Sequence, residues 1–204
     1  MTTDLVVIGG SWGGFEAVCH LLRGLPAEID APIVVALHRS PKSSNDALER
    51  MIRDCTRLDV VGVEDKRPLH DACIYVAPPD YHLLVEDGSL ALSTDDVVQY
   101  SRPSIDVLFE SAADEYGAGV VGVLLTGANA DGASGIRRIK ARGGMTMAQD
   151  PATAARAEMP RAAVETGMVD FVADLDGLTA RLAQIVDPAA PVDARDPAAR
   201  GVHR

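Results

Sequence analysis

The stretch Asp4-Leu5-Val6-Val7-Ile8-Gly9-Gly10-Ser11-Trp12-Gly13-Gly14 decides how the rest of the chain is read. Residues 4–8 form a short, largely β-branched run that stops at a glycine pair, and residues 15–22 then carry apolar side chains at helical spacing, which spells strand, tight turn, helix. Residues 33–37, Ile-Val-Val-Ala-Leu, are apolar without alternation, as expected for a parallel strand buried on both faces, and the run ends at His38. Working outward, the spacing predicts a helix over 43–53 with Ser44 or Asn45 as cap and a strand over 60–63. It predicts a helix over 105–116 capped by Ser104, then strands at 120–125, 145–148 and 169–172 alternating with helices at 133–141, 161–165 and 175–186. Between these halves, residues 74–77, 82–86 and 90–92 read as short strands punctuated by Pro78-Pro79-Asp80 and Asp87-Gly88, an antiparallel hairpin excursion. The expected fold class is therefore α/β: a doubly wound, mainly parallel sheet with helices on both faces and a small antiparallel hairpin.

A chain of 204 residues with 47% hydrophobic, 24% charged and 18 glycine residues has the composition of one globular domain. That domain is expected over 1–186, with the Ala/Pro-rich stretch 187–204 as a disordered tail. Lys and Arg number 19 against 30 Asp and Glu, and a net charge of −11 argues against nucleic acid or an anionic membrane as partner. No run is long and apolar enough to span a bilayer, and the N-terminus lacks a signal peptide's basic and apolar regions, so the expected location is cytoplasmic. Cys19, Cys55 and Cys73 are widely spaced and read as reduced, partly buried thiols with no metal-ligand pattern.

Chemistry-bearing side chains follow the apolar strands: Ser11 after the first, His38 after the second, and Asp131 shortly after 120–125. Catalytic groups of open α/β sheets collect outside the carboxyl ends of strands. A serine hydroxyl is a weak nucleophile until an imidazole takes its proton, and a buried carboxylate fixes the imidazole tautomer. Gly9-Gly10-Ser11-Trp12-Gly13 also fits G-x-S-x-G, which presents a serine on a strained strand-to-helix turn. The competing reading is a dinucleotide-binding turn. It is disfavoured because Ser11 takes the place of the second glycine of G-x-G-x-x-G, and because the second strand ends in His38 where a ribose-binding acid is expected.

Six segments then occur in order: residues 9–14, Ala36-Leu37-His38-Arg39, residues 75–82 (Tyr-Val-Ala-Pro-Pro-Asp-Tyr-His), Arg102-Pro103-Ser104-Ile105-Asp106, residues 124–132 (Leu-Leu-Thr-Gly-Ala-Asn-Ala-Asp-Gly) and Ala148-Gln149-Asp150. Together they resemble the catalytic domain of CheB-type protein-glutamate methylesterases, from about residue 4 to about residue 186. The resemblance implies hydrolysis of glutamate γ-methyl esters, and deamidation of glutamines, on the cytoplasmic helices of methyl-accepting chemotaxis receptors. It implies Ser11 as nucleophile, His38 as general base and Asp131 as its orienting carboxylate. It also implies the backbone N–H groups of Trp12 and Ala128 as an oxyanion hole, and no metal or organic cofactor. The order Ser, His, Asp differs from that of α/β-hydrolases. Trp12 stands where the family usually has Thr, Ala128-Asn129 where it usually has Met-Gly, and Met159-Pro160 lacks the preceding aromatic-Gly. The family's usual receiver domain is not in this sequence, so constitutive activity or control by a separate regulatory protein is expected.

His82, Arg102, Arg156, Arg161 and Met159 are the candidate substrate-binding residues, the arginines as a basic rim for an acid-rich substrate. His20, His70 and His203 read as structural or solvated. Two other functions compete with the hydrolase: a non-catalytic partner-binding relative with Trp12 blocking the pocket, and a nucleotide-binding α/β module.

Overall fold

The computed structural model describes residues 3–187, so most of the expected tail, 188–204, and His203 with it lie outside the described residues. Seven strands form one sheet in the order β10-β9-β8-β1-β2-β5-β3, all neighbours parallel: β1 Leu5–Gly10, β2 Ile33–Leu37, β3 Asp59–Gly62, β5 Cys73–Val76, β8 Val120–Leu124, β9 Met145–Gln149 and β10 Phe171–Ala173. A second, antiparallel sheet joins β4 Arg67–Pro68, β7 Ser89–Ser93 and β6 His82–Glu86. The doubly wound sheet and the β6–β7 hairpin are as the sequence predicts, but the stretch 74–77, expected within the antiparallel excursion, falls instead on β5, which pairs in parallel with β2 and β3 inside the main sheet. The two-residue β4, too short to carry a periodic signal, is an addition.

Alternate residues of β1 feed opposite cores, which is why the strand reads as uninterrupted apolar sequence. Val6 and Ile8 pack with Val18, Leu21 and Leu22 of α1 Gly14–Arg23 and with Leu178 and Leu182 of α6 Leu175–Val186. Leu5 and Val7 pack on the other face with Leu108 and Phe109 of α3 Ile105–Tyr116, Ile136 of α4 Ala133–Ala141 and Ala163 of α5 Glu158–Glu165. β1 continues through Gly9 and Gly10 instead of stopping before them, because both still pair with β2; glycine is needed at position 9, where a Cβ would lie 2.3 Å from Ile105. α5 begins three residues before the predicted start; Pro160 is tolerated there because first-turn N–H groups have no intrahelical partner.

α2 Asn45–Arg53 ends close to α1, and Cys19 and Cys55, 36 residues apart in sequence, are joined by a disulfide with a Cα–Cα separation of 5.2 Å. This corrects the expectation of three reduced thiols: spacing along the chain carries no record of a helix–helix approach. Cys73 is free.

The contact that positions the carboxyl ends of the strands is a reciprocal capping of α3 and α4. Asp131, just before α4, accepts hydrogen bonds at the start of α3 from Ile105 N (2.8 Å), Asp106 N (3.0 Å) and Ser104 Oγ (2.9 Å). Asp106, in the first turn of α3, accepts at the start of α4 from Gly132 N (2.9 Å) and Gly135 N (2.8 Å). Each carboxylate therefore satisfies orphan N–H groups and faces the positive end of the other helix. Burial raises the pKa of Asp106 to about 6, helped by the charges of Asp131 and Glu110, and the two N–H groups only partly offset this. Gly135 permits the close approach, since a Cβ there would lie 2.3 Å from Cβ of Phe109.

Two predictions follow from this packing. Helix propensity alone favours Gly135→Ala by about 1 kcal/mol. The contact with Phe109 should win, so denaturant unfolding should show a loss of about 1–3 kcal/mol; a gain in stability would mean that α3 and α4 are not in such contact. The folded protein holds a proton on Asp106 that the unfolded chain releases. As pH rises from the ordinary value of 3.8 to about 6, this group therefore removes stability. Asp106→Asn keeps an acceptor for Gly132 and Gly135 and abolishes the penalty. The stability of the variant relative to the parent should rise by about 2 kcal/mol between pH 4 and pH 7, and a pH-independent difference would contradict the assignment.

Candidate active site

β1 and β2 are adjacent, with Gly10 paired to Leu37, so the residues that follow them emerge side by side. Ser11 and His38 are those residues, and His38 N donates to Gly10 O at 3.1 Å. Ser11 is pinned from both sides: its N–H donates to Thr126 O (2.9 Å) beyond β8, and its carbonyl accepts from Gly14 N (2.7 Å). The reversal of strand order between β1 and β8 opens the crevice in which such folds place their ligands. Left-handed backbone in this turn falls on Gly13, at φ 75°, and not on Ser11. The left-handed conformation of the turn is thus taken by a glycine, the residue that adopts it at least cost.

Asp131 is fully buried and lies 2.7 Å, through Oδ2, from Nε2 of His38, whose side chain is 11% exposed. Burial pushes the Asp131 carboxyl up. The hydrogen bonds from His38 and from the Asp106 and Ile105 N–H groups outweigh that and leave it below the usual carboxylate range. An ionised Asp131 only accepts, so in the neutral imidazole Nε2 carries the proton and Nδ1 is the acceptor. Nδ1 lies 3.1 Å from Oγ of Ser101, a residue absent from the sequence-based candidates. Among the described residues no hydrogen bond joins Ser11 to His38.

Ser11, His38 and Ser101 line one open cleft of about 480 Å³ with Arg39, Gln99, Tyr100, Ala128 and Asn129. Ser101 ends a two-residue hairpin in which Ser101 N donates to Val98 O (2.9 Å) and Val98 N to Ser101 O (3.2 Å). The central residues Gln99 and Tyr100 have φ of 49° and 63°. Such a turn is normally built from Asn-Gly, and each non-glycine residue there costs about 1–2 kcal/mol. The carbonyl of Gln99 accepts from Asn129 Nδ2 at 3.2 Å. Arg39 donates through Nη2 to Ala77 O at 2.9 Å, while its buried Nε and Nη1 have no acceptor among the described residues. Burial lowers its pKa, against the opposing pull of Glu49.

The expected binding residues divide. His82 is 1% exposed: its Nε2 donates to Asp96 O (3.0 Å) and its Nδ1 accepts from Ser104 N (3.2 Å), so it braces the segment carrying the hairpin instead of meeting solvent. Arg102 is committed in the same way, to Asp80 Oδ1 (2.7 Å) and to the carbonyls of Thr94 (2.8 Å) and Asp95 (2.9 Å). Met159 is fully buried against Gly127. All three side chains are thus held by burial or hydrogen bonds within the protein, which single-residue reading cannot see. Arg156 lies over the ring of the exposed Trp12, 5.5 Å from its centroid, and Arg161 is exposed. Thr126 ties these loops together: its N–H donates to Gln149 Oε1 (3.0 Å), and its hydroxyl accepts from Arg156 N (2.9 Å) and lies 2.9 Å from Trp12 O. The N–H groups of Trp12 and Ala128 have no acceptor among the described residues, a requirement for groups that would receive an oxyanion. No cluster of potential metal ligands occurs among the described residues, and no described helix is long and apolar enough to cross a membrane.

The described fold is similar to the crystal structure of the Thermotoga maritima CheB methylesterase catalytic domain, with a TM-score of 0.85 and 30% sequence identity over 91% of this chain and 100% of that one. A putative protein-glutamate methylesterase/protein-glutamine glutaminase of Leptospira interrogans is 42% identical over 177 residues, 86% of this chain and 91% of that protein. Protein-glutamate methylesterase/protein-glutamine glutaminase 2 of Anaeromyxobacter dehalogenans is 42% identical over 182 residues, and protein-glutamate methylesterase FrzG of Myxococcus xanthus 38% over 184. This chain spans 53% and 55% of the latter two. The family model described as CheB methylesterase matches residues 6–182, and the chain belongs to the CheB methylesterase family.

Proposed function

We propose that this protein is a protein-glutamate methylesterase that hydrolyses γ-methyl esters on the cytoplasmic helices of chemotaxis receptors and deamidates glutamines there, with Ser11 as nucleophile, His38 as base and Asp131 as its orienting carboxylate. The observation that carries this reading is the buried, ionised Asp131 held on Nε2 of His38, beside a serine at the end of the neighbouring strand. A carboxylate fixed by the start of α3 keeps the Nε2 proton in place, so Nδ1 is the nitrogen that can receive a proton. Oγ of Ser11 attacks the ester carbonyl as its proton passes to Nδ1. The carbonyl oxygen gains negative charge, for which the N–H groups of Trp12 and Ala128 and the start of α1 are the available donors. The proton returns from Nδ1 to the leaving methoxide, releasing methanol. Water then repeats the sequence on the acyl-enzyme and liberates the glutamate carboxylate and Ser11. An amide substrate follows the same path with ammonia as leaving group. No step needs a metal or an organic cofactor.

The exposed Trp12 and the Arg156 guanidinium over it offer a face suited to an acidic helical substrate, with the exposed Arg161 as a further basic contact in this reading. Methanol release from a methylated receptor peptide tests the assignment. Ser11→Ala should lower turnover by roughly 10⁶-fold, and the parent rate should fall on the acid side as the base is protonated. Retention of the rate in Ser11→Ala would remove the nucleophile from the account.

A further inference from the structure

Resting on the reading above, we propose that Ser101 is a positioning residue that occupies Nδ1 of His38 in the resting site, and that substrate must displace it before Ser11 can use the same lone pair. With Asp131 on Nε2, the neutral imidazole has one acceptor left, and the Ser101 hydroxyl donates to it at 3.1 Å. Ser11 needs that acceptor when its Oγ bonds to the ester carbon and its proton moves to nitrogen. A single lone pair serves one donor well at a time, so the two serines compete.

The support of Ser101 suits this exchange. Its base is rigid: Arg102 clamps the carbonyls of Thr94 and Asp95, and His82 clamps that of Asp96. Its tip is strained, with Gln99 and Tyr100 both in left-handed conformation, and Tyr100, which lines the cleft, is 98% exposed. Gln99 and Tyr100 line the cleft together with His38, and the Gln99 carbonyl is tied to Asn129, another lining residue, by one hydrogen bond of 3.2 Å. Backbone strain at such a place favours movement when contacts are exchanged. The hairpin thus keeps the base engaged until a substrate large enough to push on the tip arrives.

The test uses a small activated ester, p-nitrophenyl acetate, which lacks the bulk of a helical substrate to push the tip aside. A hydrogen bond of ordinary net strength is worth roughly a factor of 2 to 10 in an equilibrium. Ser101→Ala should therefore raise kcat on this ester by roughly 2- to 10-fold with little change in KM, and Ser101→Thr, which keeps the hydroxyl, should restore the parent value. A residue with a merely structural role would lower kcat or Tm instead. Unchanged or reduced kcat in Ser101→Ala, with Ser11→Ala inactive, overturns the proposal and leaves the nucleophile assignment standing. Loss of activity in Ser101→Ala while Ser11→Ala keeps the parent rate would make Ser101 the attacking group and overturn both.

Discussion

Two buried carboxylates exchanged between two helix starts hold this site together. Asp131 reaches from the start of α4 to the N–H groups of α3, and Asp106 reaches from α3 to those of α4. The exchange solves several problems at once. It satisfies orphan backbone donors in a place closed to water, it lets α3 and α4 approach at the Phe109–Gly135 contact, and it aims one oxygen of Asp131 at the imidazole. The two acids face different environments. Asp131 has a hydrogen-bonded histidine and stays ionised, whereas Asp106 has backbone donors alone and a like charge beside it, so it is pushed up to about 6. Neighbouring carboxyls driven apart in this way are a mark of functional sites.

From this anchor the geometry runs outward in one direction. An ionised Asp131 fixes the proton on Nε2, which makes Nδ1 the working nitrogen and turns attention to whatever faces it. Two serines can do so. Ser11 belongs to the rigid sheet edge, tied to Thr126 and Gly14, while Ser101 belongs to a strained hairpin whose tip lies over the cleft. The rigid one suits attack and the strained one suits release, a division that follows from backbone geometry and not from the hydroxyls, which are chemically alike.

Much of this was legible in the sequence, and the reasons differ by element. Helices 105–116, 133–141 and 175–186 are read to the residue, because apolar period, caps and flanking turns agree there. Ser11, His38 and Asp131 were legible because each follows a strand, where such folds put their chemistry. What escaped depends on contacts between distant segments. Nothing near Cys19 or Cys55 records that α1 meets the end of α2. Arg102 and His82 carry the marks of binding residues, yet their polar atoms are engaged by the carbonyls of residues 94–96, by Asp80 and by Ser104 N. Gln99-Tyr100 has none of the composition of the turn that it forms, so Ser101 gave no sign of its place.

The central claim is that Ser11, and no other hydroxyl in the cleft, is the group that attacks. Treating the folded protein with a fluorophosphonate, which forms a stable bond to an activated serine, and locating the adduct by peptide mass spectrometry tests it most directly. The account predicts a stoichiometric adduct on Ser11 that disappears in His38→Ala. An adduct on Ser101, or labelling of Ser11 that is indifferent to His38, would contradict it.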